Sequence, residues 1–144
     1  MDQENSISEK EFIKRLVNLC LKSGLQNMPK KPVDQHVLFK SVTLLFDSSG
    51  SYSQKEVDEK LQYWLLAISQ FKKIDHVSLR RYLIDATYLE RSSDGTAYTI
   101  PLNGQRQVKF EGSINDLDIE RVLSDSKEEI DKKKQAFLST NKSN

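Results

Sequence analysis

Apolar residues recur at helical spacing four times before residue 90, and three of those four runs open on a side chain suited to capping. In Ile7-Ser8-Glu9-Lys10-Glu11-Phe12, Ser8 can cap the amide of Glu11, Glu11 can reach back to Ser8, and Ile7 can pack on Phe12. Phe12, Leu16, Leu19 and Cys20 follow on one stripe, and Gly24 supplies a stop. Met28-Pro29-Lys30-Lys31-Pro32 interrupts the chain, because each proline disfavours helix at the residue before it. A second helix is predicted over Asp34–Phe46, with Leu38, Val42 and Leu45 aligned and Phe39 and Phe46 beside them.

After the Asp47-Ser48-Ser49-Gly50 loop the capping pattern returns at Tyr52-Ser53-Gln54-Lys55-Glu56-Val57. Val57, Leu61, Trp64, Leu65 and Ile68 give the third helix a broad apolar face. Phe71-Lys72-Lys73-Ile74 reads as a short turn anchored at both ends. Asp75 then caps a fourth helix, predicted to run to Tyr88. Helical geometry turns Leu79, Leu83 and Ala86 inward and Val77, Arg81 and Tyr88 outward, with Arg80 and Ile84 on one flank and Ser78 and Asp85 on the other.

Residues 89–100 read as a β-hairpin around a two-residue Asp94-Gly95 turn, with Leu89 opposite Ile100 and Arg91 opposite Tyr98. Pro101 ends the returning strand. Three helices, a tight turn between the last two, and then a hairpin is the order of a winged helix-turn-helix core. The predicted fold is therefore mainly α with one small hairpin, flanked by additional N- and C-terminal helices. Its parts are an N-terminal helix (1–28) packing on the core or on a partner, the winged domain (29–101), a helical extension (102–138) and a disordered tail (139–144). Within the extension, Val108-Lys109-Phe110 suggests a strand. Asp116–Leu138 suggests a helix aligned on Ile119, Leu123, Ile130 and Phe137.

Composition adds little direction. Twenty-two basic and 21 acidic residues give a net charge of +1, so any affinity for a polyanion must come from where the charges sit. One cysteine excludes an intramolecular disulfide and a multi-cysteine zinc site. The polar N-terminus and the lack of a long apolar run lead to the expectation of a cytoplasmic protein without a membrane partner. No glycine-rich phosphate loop occurs, and His76 beside Asp75 has no identifiable nucleophile. No catalytic residue, cofactor or metal site is expected.

Tyr52–Val57, the Leu79-Arg80-Arg81-Tyr82-Leu83-Ile84 run and the segment from Leu89 to Tyr98 together resemble a bacterial family catalogued as domain of unknown function 2087. The likeness spans about Pro29–Pro101. It implies a winged-helix fold and an association with transcriptional regulators, and it implies no activity. The stretch from Tyr82 to Arg91 is also similar to the recognition-helix end of many bacterial winged-helix regulators. Those regulators usually carry Gly-Leu where this chain has Thr87-Tyr88.

A duplex-binding regulator would use helix 75–88 and wing 89–100. Arg81 would read a base edge or a phosphate, Lys72, Lys73 and Ser78 would set orientation, and Arg91 and Thr96 would meet backbone or minor groove. His76 and Arg80 complete the candidate DNA-binding set. Three simpler roles compete with these. Arg81 pairs with Asp85, Arg80 bridges to Asp58 or Glu59 of the preceding helix, and Lys72-Lys73 is a solvated turn. The alternative function is a protein-interaction module without nucleic acid, favoured by the near-zero charge and by Val77 and Ile84. RNA binding ranks third for want of an aromatic sheet. A homodimer joined through the terminal helices is the expected assembly of the DNA-binding form.

Overall fold

A computed structural model describes residues 6–22, 27–69, 71–101 and 108–142. The Gly24 stop lies outside them. Strand β1 (Ser6–Ile7) leads into helix α1 (Glu9–Val17), which Ser8 caps by accepting from Glu11 N–H and which widens into a π-helical turn over Asn18–Lys22. Helix α2 covers Pro32–Thr43, two residues earlier at its start and three shorter at its end than the apolar pattern predicts. Pro32 takes the first helical position, where a missing N–H is harmless. Helix α3 (Gln54–Tyr63) begins with the complete Ser53/Glu56 capping box and continues as a π-helical segment, Trp64–Ser69.

Helix α4 spans His76–Asp85 and is capped by Asp75, whose carboxylate accepts from Ser78 N–H. It stops three residues short of the predicted Tyr88. Thr87 N–H donates to Ile84 O and Tyr88 N–H to Leu83 O, the paired bonds of a Schellman ending. Thr87 occupies its left-handed position at φ 63°. The chain therefore reverses, and Tyr88 swings into the core at 0 % exposure instead of projecting outward as expected. There its hydroxyl lies 2.7 Å from His36 Nδ1. A β-branched residue is strained at positive φ, where glycine is not. Thr87→Gly is thus expected to stabilise the fold by about 1 kcal/mol, read as a rise in the thermal unfolding midpoint.

Strands β2 (Glu90–Arg91) and β3 (Tyr98–Thr99) pair antiparallel, with Arg91 opposite Tyr98 as the sequence predicts. The connection differs from the two-residue turn. Ser92 N–H bonds Ala97 O, Gly95 N–H bonds Ser92 O, and Gly95 has φ 76° while Asp94 does not have positive φ. The loop is therefore four residues long. The register survives because the loop lengthens by one residue on each side. Tyr52 joins from the other edge, exchanging both backbone hydrogen bonds with Tyr98 at 2.9 and 2.8 Å. The hairpin is thereby tied to the start of α3.

Strand β4 (Lys109–Phe110) pairs parallel with β1, so the two chain extensions meet. A 3₁₀ turn, Gly112–Asp116, precedes helix α5 (Ile119–Lys142). Of the predicted disordered tail, residues 139–142 instead continue the helix, and Ser143 and Asn144 lie outside the described residues. Ile119 and Leu123 are buried, whereas Phe137 on the same line is 65 % exposed, so α5 leaves the core part-way along its length.

Phe12 and Leu16 of α1 are fully buried within the chain, and Phe12 meets Phe110 edge-on at 6.1 Å. The N-terminal helix thus packs on the protein's own core. At the centre of that core stands Trp64, fully buried, with Phe71 edge-on at 5.7 Å. Its indole N–H donates to Ser41 Oγ at 3.0 Å, and Ser41 donates onward to Leu38 O at 2.6 Å, so the polar atoms inside are satisfied.

Candidate nucleic-acid interface

The turn between α3 and α4 is held by its apolar ends. Phe71 is buried against Trp64 and Ile74 is half-buried, which leaves Lys72 and Lys73 exposed at the tip. His76 is half-buried, and Gln62 Nε2 lies 3.3 Å from its Nδ1. Ser78 faces solvent, and its amide and hydroxyl hold the Asp75 carboxyl below the usual carboxylate range. Asp75 is consequently a fixed negative charge beside the turn lysines.

The two neighbouring arginines separate. Arg80 Nη1 donates to Asp58 Oδ1 of α3, with side-chain exposures of 17 % and 22 %. This is the helix-to-helix bridge considered from sequence, and it ties Arg80 into the fold. Arg81 lies on the outer face, exposed, and has no ion-pair partner among the described residues. The competing Arg81–Asp85 pair does not form. Val77, also outward, is exposed as expected, while Ile84 is half-buried.

At the hairpin tip, Asp94 organises the loop. It accepts from the hydroxyls of Ser92 (2.7 Å) and Thr96 (2.7 Å) and from Thr96 N–H (3.0 Å), and these bonds pull its pKa down to about 2. Thr96 is therefore committed to the loop through both its hydroxyl and its amide. Arg91 is exposed and folds over the turn. A methyl group placed on Gly95 would meet Arg91 Nη2 at 2.5 Å.

Taken together, Lys72, Lys73, Arg81 and Arg91 share this face with Asp75, Asp85, Glu90 and Asp94, all eight exposed. Cations and carboxylates are thus equal in number, and none of the eight forms an ion pair among the described residues. The surface also carries exposed apolar area. Leu66 is 79 % exposed at the rim of a groove of about 610 Å³ between α3 and the start of α4, bordered by Phe71, Ile74 and His76. Leu66 falls off the Val57–Ile68 stripe, so its exposure follows from helical spacing.

The fold is mostly helical, with a small antiparallel strand pair. The chain belongs to the bacterial family of domain of unknown function 2087, described as an uncharacterized protein conserved in bacteria, which matches residues 24–100. That span runs from just before α2 through β3 and leaves α1 and α5 as flanking additions. Comparison with the curated proteins and with the solved structures gives no match to either. Among the described residues no helix is long and apolar enough to cross a membrane, and no group of three or more metal-binding side chains occurs.

Proposed function

We propose that residues 29–101 form a winged helix-turn-helix domain and that the protein is a non-enzymatic DNA-binding regulator. In this reading α4 enters the major groove and the β2–β3 hairpin is the wing. The observation that carries it is the order of α2, the Tyr52 bridge, α3, the 71–75 turn, α4 and β2–β3, with Tyr52 bonded to the returning wing strand. That bond ties the returning wing strand to the chain just before α3. Within α4, Arg81 is the free cation on the outer face and Val77 is the apolar neighbour available to a thymine methyl. Arg80 is assigned to the fold and dropped from the contact set, and Thr96 is assigned to the loop.

Retardation of mixed genomic fragments at low salt tests this reading. Wild-type protein is expected to shift duplex DNA in a salt-sensitive manner. The Lys72→Ala/Lys73→Ala/Arg81→Ala variant is expected to bind at least about tenfold more weakly with an unchanged unfolding midpoint. No retardation at low salt would reject it.

The matched charges on this face and the exposed Leu66, Val77 and Tyr82 favour a second reading, a module that docks another protein. Balanced charge weakens long-range attraction to a polyanion, and exposed apolar side chains of this size suit a protein surface. On that reading a single stoichiometric partner survives nuclease and high salt, and Val77→Asp releases it.

A further inference from the structure

A local excess of positive charge lies along α1 and the π-helical turn that follows it. A groove of about 600 Å³ runs between α1 and the start of α2. Lys10, Lys14 and Lys22 border it from one side at multiples of four residues, with Asn18 completing the line, and Lys31 borders it from the other. Spacing of four keeps side chains on one helical face. Lys10 and Lys14 stand about 6 Å apart along α1 at 1.5 Å per residue, and the π-helical turn carries the line on to Lys22. The only carboxylates lining the groove, Glu11 and Asp34, are both held by Arg15, at 3.0 Å each. The four lysines are exposed and form no ion pair among the described residues.

We infer that this α1–α2 groove is a phosphate-backbone contact surface for duplex DNA, separate from α4 and the hairpin. Five cations against two carboxylates put more net positive charge here than the whole chain carries, so the remainder is net acidic. Two properties favour a nucleic-acid backbone over an acidic peptide. Grooves that take a peptide as a strand, an amphipathic helix or a polyproline segment offer apolar pockets for anchor residues, and the side chains lining this groove are all charged or polar. A duplex presents one charge per roughly 1.7 Å of axis, so a straight line of lysines meets phosphates without base sequence mattering. The start of α2 adds the positive end of a helix dipole. The inference rests on duplex DNA being the partner, and it locates where phosphate charge is met when the α4 face is balanced.

The test is fluorescence anisotropy of the full chain with a labelled 20-base-pair duplex of mixed sequence, titrated over KCl concentration. Wild type is compared with Lys10→Gln/Lys14→Gln/Lys22→Gln/Lys31→Gln and with Lys72→Ala/Lys73→Ala/Arg81→Ala. Poly-glutamate serves as a competing ligand, and circular dichroism verifies each fold. The glutamine variant is expected to lose at least about tenfold in low-salt affinity, and its log–log salt slope is expected to flatten by roughly 3.6, at 0.9 for each of four phosphate contacts. Lys14→Gln alone is expected to flatten it by about 1. If duplex binds and the glutamine variant matches wild type in affinity and slope, the inference is overturned while the α4 reading stands. If wild type binds no duplex at low salt, both are overturned. Capture of poly-glutamate in place of duplex through the same lysines also overturns both and makes the partner an acidic protein segment.

Discussion

Replacing Trp64 by alanine is expected to remove about 3–5 kcal/mol of stability, the range for emptying a large buried aromatic site. A domain of this size is stabilised by roughly 5–15 kcal/mol in all, so the variant should lose a large fraction of its stability. Three losses combine. The indole is fully buried, its edge-on partner Phe71 anchors the turn that presents Lys72 and Lys73, and Ser41 Oγ loses the N–H that donates to it. Trp64→Phe separates these contributions. It keeps most of the apolar volume and removes the hydrogen bond, so it should cost about 1–2 kcal/mol. Chemical denaturation followed by circular dichroism measures both variants. A near-native midpoint for Trp64→Ala would mean that the core is not organised around this side chain.

The second large effect distinguishes adjacent arginines. Arg80→Ala is expected to destabilise the fold by about 1.5–3 kcal/mol, because it strands a largely buried Asp58 carboxylate. Arg81→Ala, one residue on, should lie within about 0.5 kcal/mol of wild type, as for an exposed side chain without a partner. The Asp58→Ala/Arg80→Ala double variant should lose less than the two single changes summed, since each partner's main cost is the charge left behind. Equal effects at 80 and 81 would contradict the division of labour between fold and surface.

That division was only half legible in the sequence. Helix starts were readable because capping is local. Ser8, Ser53 and Asp75 each bond an amide three residues ahead, and the sequence alone carries that geometry. The end of α4 was not readable from periodicity, because Tyr88 fits an outward helical position as well as it fits a core position after a reversal. The signal that existed was the Thr87-Tyr88 departure. A position that accepts glycine in similar regulators is one where the backbone has φ above zero, and Thr87 has it. The hairpin register was readable because Tyr98 and Arg91 pair whether the loop has two or four residues.

Which arginine would be free was undecidable from sequence, since both Asp58 and Glu59 lay within plausible reach of Arg80 and Asp85 within reach of Arg81. Only the packing angle of α3 on α4 selects Asp58. The pairing of β1 with β4 was illegible for a different reason. It joins residues about a hundred positions apart through two-residue strands, and such contacts leave no periodicity. The lysine line on α1 was present at residues 10, 14 and 22. Its meaning depended on Arg15 occupying both carboxylates, one of them nineteen residues away.

Titration of the isotopically labelled 144-residue chain with a short mixed-sequence duplex, followed by amide chemical-shift mapping, bears most directly on whether the outer face of α4 meets DNA. The expected outcome is salt-sensitive shifts at Lys72, Lys73, Ser78, Arg81 and Arg91, with the core amides around Trp64 unmoved. Spectra that stay unchanged at low salt, or shifts that leave α4 and the hairpin untouched, would contradict it.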